Sequence, residues 1–146
     1  MLRLPQRMEE ILLMTCKGNM RSSEIADKLG ISRQAVSKAL REARARLTEI
    51  FLRIAEILNS DVIRINVDKG FAVLRSRQTG SKIYVMYIPS LGPLTIFSNK
   101  LDCLGVNKSF CRNVLRAAVK WGLIDEKAIM DNPRKAIEEV IKRMEE

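Results

Sequence analysis

Apolar positions along this chain change period twice, and the changes divide it into three stretches. Up to about residue 58 they recur at three- and four-residue intervals, the spacing that puts side chains on one face of a helix. In residues 4–17, Met8, Ile11 and Leu12 form such a stripe, Pro5 suits the first turn and Gly18 ends it. Ile25, Ala26 and Leu29 make a second stripe. Ser22 or Ser23 is placed to cap its start, and Gly30 to close its end, where a left-handed backbone costs least without a Cβ. Ile31 plugs the corner that follows, Ser32 offers a second cap, and Val36 and Leu40 begin the buried face of a third helix. No Gly or Pro interrupts that helix before Gly70, so it is predicted to run on to Leu58. At about 26 residues it would be ~39 Å long, too long for a three-helix core to cover, and a bend near Arg44–Thr48 is allowed for.

From Asn59-Ser60 onward the period becomes two. DVIRINV (61–67) puts Ile63, Ile65 and Val67 on a core face, and Asp68-Lys69-Gly70 reads as a turn. FAVLRSR (71–77), KIYVMYI (82–88) and LTIFS (94–98) continue a meander of four short antiparallel strands. The helical period then returns. Asn107 or Ser109 caps a helix through Trp121, Asp125 caps a short one to Met130, and Asn132-Pro133 starts a last one carrying Ala136, Ile137, Val140, Ile141 and Met144. The fold class is α+β: three N-terminal helices with the third extended, an antiparallel sheet of about four strands, then C-terminal helices. Two domains are expected, 1–58 and 59–146.

The stretch from Ser22 to Arg41 resembles a DNA-binding helix-turn-helix. That family wants a small residue in the first helix so the second can cross closely, here Ala26. It wants Gly four residues on, Gly30, then an apolar residue, Ile31, and a β-branched one in the second helix, Val36. The resemblance implies that the second helix enters the major groove with its N-terminal residues at base edges. Positions turned away from Val36 and Leu40 are then the readers: Arg33, Gln34, Ser37, Lys38 and Arg41. Gln34 suits adenine, and Arg33 or Lys38 suits guanine. Ser22, Ser23 and Ser32 at helix starts, with Arg44 and Arg46 further along, are the phosphate-contact candidates.

Charge agrees with that assignment. The net charge is +9, and between positions 33 and 46 five cations (Arg33, Lys38, Arg41, Arg44, Arg46) meet a single acid, Glu42. Below the reader positions the apolar residues Val36, Leu40, Ala43, Leu47, Ile50, Ile54 and Ile57 alternate four and three apart, an a/d heptad seam. Ala43, Leu47, Ile50, Ile54 and Ile57 must be buried by something beyond the three-helix core. A second copy of the same helix is favoured, giving a homodimer, with packing on the chain's own C-terminal half as the alternative.

The chain has no histidine, no Gly-rich phosphate loop and no spaced acidic cluster, so no catalytic residue, metal site or cofactor is assigned and an enzyme is not expected. Cys16, Cys103 and Cys111 lack paired short spacing and are expected as thiols. No apolar run reaches the ~20 residues of a membrane span, which makes a cytoplasmic protein the expectation. In its order of elements, with Asn59-Ser60 leading into VIRINV, the chain also resembles the archaeal Tfx-type regulators; that likeness carries no site residue in the C-terminal half. The expected function is a sequence-specific regulator of transcription whose partners are double-stranded DNA and a second copy, with an assembly or sensor module at the C-terminus and any small-molecule effector unassigned. A protein-interaction adaptor and a DNA-docked enzyme are the alternatives.

Overall fold

The long helix forms as its composition demands. In the computed structural model, which describes residues 2–97 and 108–146, α3 (Arg33–Ile57) is one unbroken helix of 25 residues, with no break near Arg44–Thr48. Before it come α1 (Gln6–Cys16) and α2 (Ser22–Leu29). Ile11, Leu12, Ile25, Ala26, Val36, Leu40, Ala43 and Leu47 are buried between the three. Full burial of each large aliphatic side chain stabilises by about 1.5–3 kcal/mol, and this core fixes α2 against α3.

Asn59 reverses the chain after α3. Its φ of 48° is left-handed, a conformation Asn tolerates better than most residues. Four antiparallel strands follow in the order β1-β2-β3-β4 (Ser60–Asn66, Phe71–Ser76, Lys82–Ile88, Gly92–Ile96). β1 and β4 are edges, and Pro93 stands on one of them, where a missing N–H is harmless. The central strand β3 is buried on both faces. Tyr87, on one face, reaches α1: its hydroxyl accepts from the Leu4 N–H at 2.8 Å and donates to Glu9 Oε2 at 2.8 Å. Tyr84, on the other, donates to Glu145 near the chain's end. The sheet is therefore covered by helices on both sides, and one apolar cluster runs from Leu4 to Met144 through both halves of the chain.

The expected core face of β1 is only partly present. A bulge between Val62 and Arg64 shifts the register against β2, an extra residue that re-aims side chains. Ile63 is left 45% exposed, while Ile65 and Val67 are half-buried. Among the described residues three helices follow, α4 (Lys108–Lys120), α5 (Glu126–Asp131) and α6 (Pro133–Glu145). Asn132 caps α6 as expected, accepting from the Lys135 N–H at 3.3 Å; Asp125 makes no such bond. The predicted cap Asn107, the strand end Ser98 and Cys103 lie outside the described residues. Trp121 is fully buried, and its indole N–H donates to the Tyr87 carbonyl at 2.8 Å. It lies so close over Gly70 that a Cβ there would stand 2.0 Å from the ring.

The cysteines part company. Cys16 is a free thiol, but Cys111 is disulfide-bonded, against the expectation of thiols throughout. Pairing depends on where the fold brings sulfurs together, which sequence spacing alone did not reveal.

Candidate nucleic-acid interface

The corner between α2 and α3 is built by local chemistry. Gly30 sits at φ 66° and ψ 36° with open space where a Cβ would stand. The Ile31 N–H then reaches back to the Ala26 carbonyl at 3.1 Å, closing the helix end in a Schellman-type turn. Ser32 Oγ accepts from the Ala35 N–H at 3.0 Å, satisfying one of the donors that a helix start leaves unpaired. The first helix is capped differently from expectation. Its N-cap position is Arg21 and makes no side-chain bond; Ser22 and Ser23 are the first helical residues, half-buried.

Arg33, Gln34, Ser37, Lys38 and Arg41 are all exposed within the first turns of α3; the last four lie off the face of buried Val36 and Leu40, whereas Arg33, against expectation, shares that face and is open because it is the first residue of the helix. Among the described residues none of the five is held in an ion pair or a side-chain hydrogen bond within the chain. Ser32 and Arg46 are exposed as well. Arg44 is different: its Nε donates to Asp68 Oδ1 at 2.9 Å, from a half-buried position. Its remaining guanidinium donors could still meet a phosphate, but the carboxylate beside them offsets its charge. Asp68 is the residue sequence reasoning missed here. It reads only as a turn residue, because nothing in its spacing shows that β1 runs back along α3 and sets the turn beside Arg44. Arg21, exposed at the head of α2, is a further cation of this surface.

The proposed subunit seam is largely occupied within the chain. Ala43, Leu47 and Ile50 are buried, Ile54 is half-buried, and only Ile57 is open, at 73% exposure. A straight helix explains the drift. A seven-residue repeat slips by about 20° per heptad around 3.6-residue turns, whereas the sheet takes the helix on its Phe51–Ala55 side, both residues being buried. A second helix could use the first three seam positions only by opening this core.

Cys16 lies under the influence of Asp68, Arg44 and Lys69. Burial, with the Asp68 charge adding, pushes its thiol up to about 11 against the smaller pull of the two cations. It is protonated near neutrality and a poor nucleophile. Among the described residues no group of three or more His, Cys, Asp or Glu is placed to hold a metal ion, and no helix is long and apolar enough to cross a membrane.

Comparison with known proteins agrees with this geometry. The family described as Sigma-70, region 4, a helix-turn-helix DNA-binding domain, matches residues 1–47. Over that stretch the chain is similar to a DNA-binding helix-turn-helix. The match takes in α1, α2 and the part of α3 that packs on them, and ends at Leu47, just before α3 turns its buried face to the sheet. It supports DNA binding and a transcription-related role. No curated protein and no solved structure matches the chain.

Proposed function

We propose that this protein is a non-enzymatic, sequence-specific regulator of transcription that reads the major groove of double-stranded DNA in the cytoplasm, in the manner of the Tfx-type regulators that its order of elements resembles. The observation that carries the reading is the set of five exposed, unpaired side chains (Arg33, Gln34, Ser37, Lys38 and Arg41) at the N-terminal end of α3, behind a properly closed turn. Their chemistry supplies both bidentate readers and phosphate contacts. Selection of bound duplexes from a random pool tests it. A regulator enriches one motif and loses affinity steeply as salt rises; recovery of the pool without enrichment would leave only non-specific binding.

We read the working form as a homodimer. Since Ala43, Leu47 and Ile50 are covered, the support comes from the far end of α3. There Ile57 is followed by Val62 and Ile63 on the free edge of β1, at 73%, 39% and 45% exposure. Light scattering of the full chain gives the mass of a dimer on this reading, and Ile57→Glu gives that of a monomer. A monomeric wild type, alone and on DNA, removes it.

A further inference from the structure

We propose that the cavity between the β1–β2 turn, the α4–α5 turn and the end of α6 binds a small, multiply charged anion, and that its occupancy is felt at Arg44 of the DNA-reading helix. The cavity is about 310 Å³, at the small end of ligand pockets. Arg64, Lys69 and Arg143 line it, Asn66 adds an amide, and Glu146 is its one acid. Gly122, at φ 74°, forms a wall without a side chain, and the Lys69 ammonium lies 3.3 Å from where its Cβ would be.

Each cation keeps donor capacity free. Arg64 gives one Nη1 bond to the Met144 carbonyl at 3.3 Å, and Arg143 gives its Nε to Glu139 at 2.9 Å. A guanidinium has five N–H donors, so both retain further donors for an oxyanion, where Arg forks match phosphate and carboxylate alike. Phosphate groups and dicarboxylates share that chemistry.

The link to α3 is short. Asn66 lines the cavity and braces the turn, its Oδ1 accepting from the Lys69 N–H at 3.1 Å. Lys69 adjoins Asp68, which holds Arg44 at 2.9 Å. Gly70, the next residue of the turn, packs directly under Trp121. An anion on Lys69 thereby alters the hold of Asp68 on Arg44. Binding itself does not depend on the regulatory reading; its consequence for DNA does.

The test is a titration of the full-length, DNA-free protein with inorganic phosphate, and separately with succinate, at constant ionic strength, followed by NMR. Saturable shifts at Lys69 and Asn66 are expected, with the Arg44 Nε–H moving on the same curve. Lys69→Ala and Arg143→Ala are each expected to bind about tenfold more weakly, the loss of one charge-assisted contact, whereas Gln34→Ala binds as wild type. The preferred probe tells phosphate from carboxylate. Absence of saturation, or equal binding by the Lys69 and Arg143 variants, overturns the site; saturation with Arg44 unmoved overturns the coupling. Because no DNA is present, failure of the DNA reading would leave these results unchanged.

Discussion

At the scale of the residue, Arg41 and Arg44 differ in what holds them. Both are cations on one helix, but Arg41 is exposed and unpaired while Arg44 is bonded to Asp68. If Asp68 competes with DNA for Arg44, then Asp68→Asn frees a cation for the backbone. The expected result is tighter binding to all sequences and a salt dependence steeper by about one phosphate contact, read from anisotropy titrations at several salt concentrations. Unchanged affinity and slope would show that Arg44 faces no phosphate. The exposure of Gln34, Ser37, Lys38 and Arg41 was legible in the sequence, because it follows from helical period once Val36 and Leu40 face inward; Arg33 falls on the Val36–Leu40 face by period and is open because it stands at the first position of α3. The Arg44–Asp68 pair was not legible, since it spans two elements whose approach is set by the sheet.

At the scale of the element, three helix ends formed as read, while the caps expected of Ser22 or Ser23 and of Asp125 did not. Gly30, Ser32 and Asn132 act on neighbours within a few residues, and each does what its type suggests. Ile63, whose place depends on a bulge, and the seam residues Ala43, Leu47 and Ile50, whose cover depends on the sheet, could not be placed by period alone. The last helix gives a further prediction. Glu145 ties α6 to β3, accepting from Lys82 at 2.6 Å and from Tyr84. Burial pushes its carboxyl up, but the two hydrogen bonds and the charges of Lys82 and Arg64 outweigh it and hold the group below its ordinary value. Burial and then Glu145 itself push the Tyr84 phenol up to about 12. A carboxyl lowered in the folded state stabilises fully above its unfolded pKa of about 4.3 and loses that contribution as pH falls through the folded value. Glu145→Gln is therefore expected to melt at a lower temperature than wild type at pH 7, with the difference shrinking as pH falls below the unfolded value and through the lower folded one. A constant difference across that range would mean that the carboxylate's charge is not what anchors α6.

At the scale of the whole molecule, α3 is held by the sheet as well as by α1 and α2. α3 carries buried residues from Val36 to Ala55, and one apolar cluster joins the helix-turn-helix to the sheet and to α4 and α6. Unfolding in denaturant is accordingly expected as one transition, coincident by Trp121 fluorescence and by helical circular dichroism; two separated transitions would show that residues 1–58 stand apart from the remainder.

The central claim is that the N-terminal end of α3 reads base sequence. Its most direct test measures the affinity of the full chain for its selected duplex and for a scrambled one, in wild type, in Gln34→Ala and in Arg33→Ala/Gln34→Ala/Lys38→Ala. The account predicts that Gln34→Ala loses roughly 1–3 kcal/mol on the selected duplex and relaxes preference at one base pair, and that the triple variant binds both duplexes equally weakly. A triple variant that still tells the two duplexes apart as wild type does would contradict it.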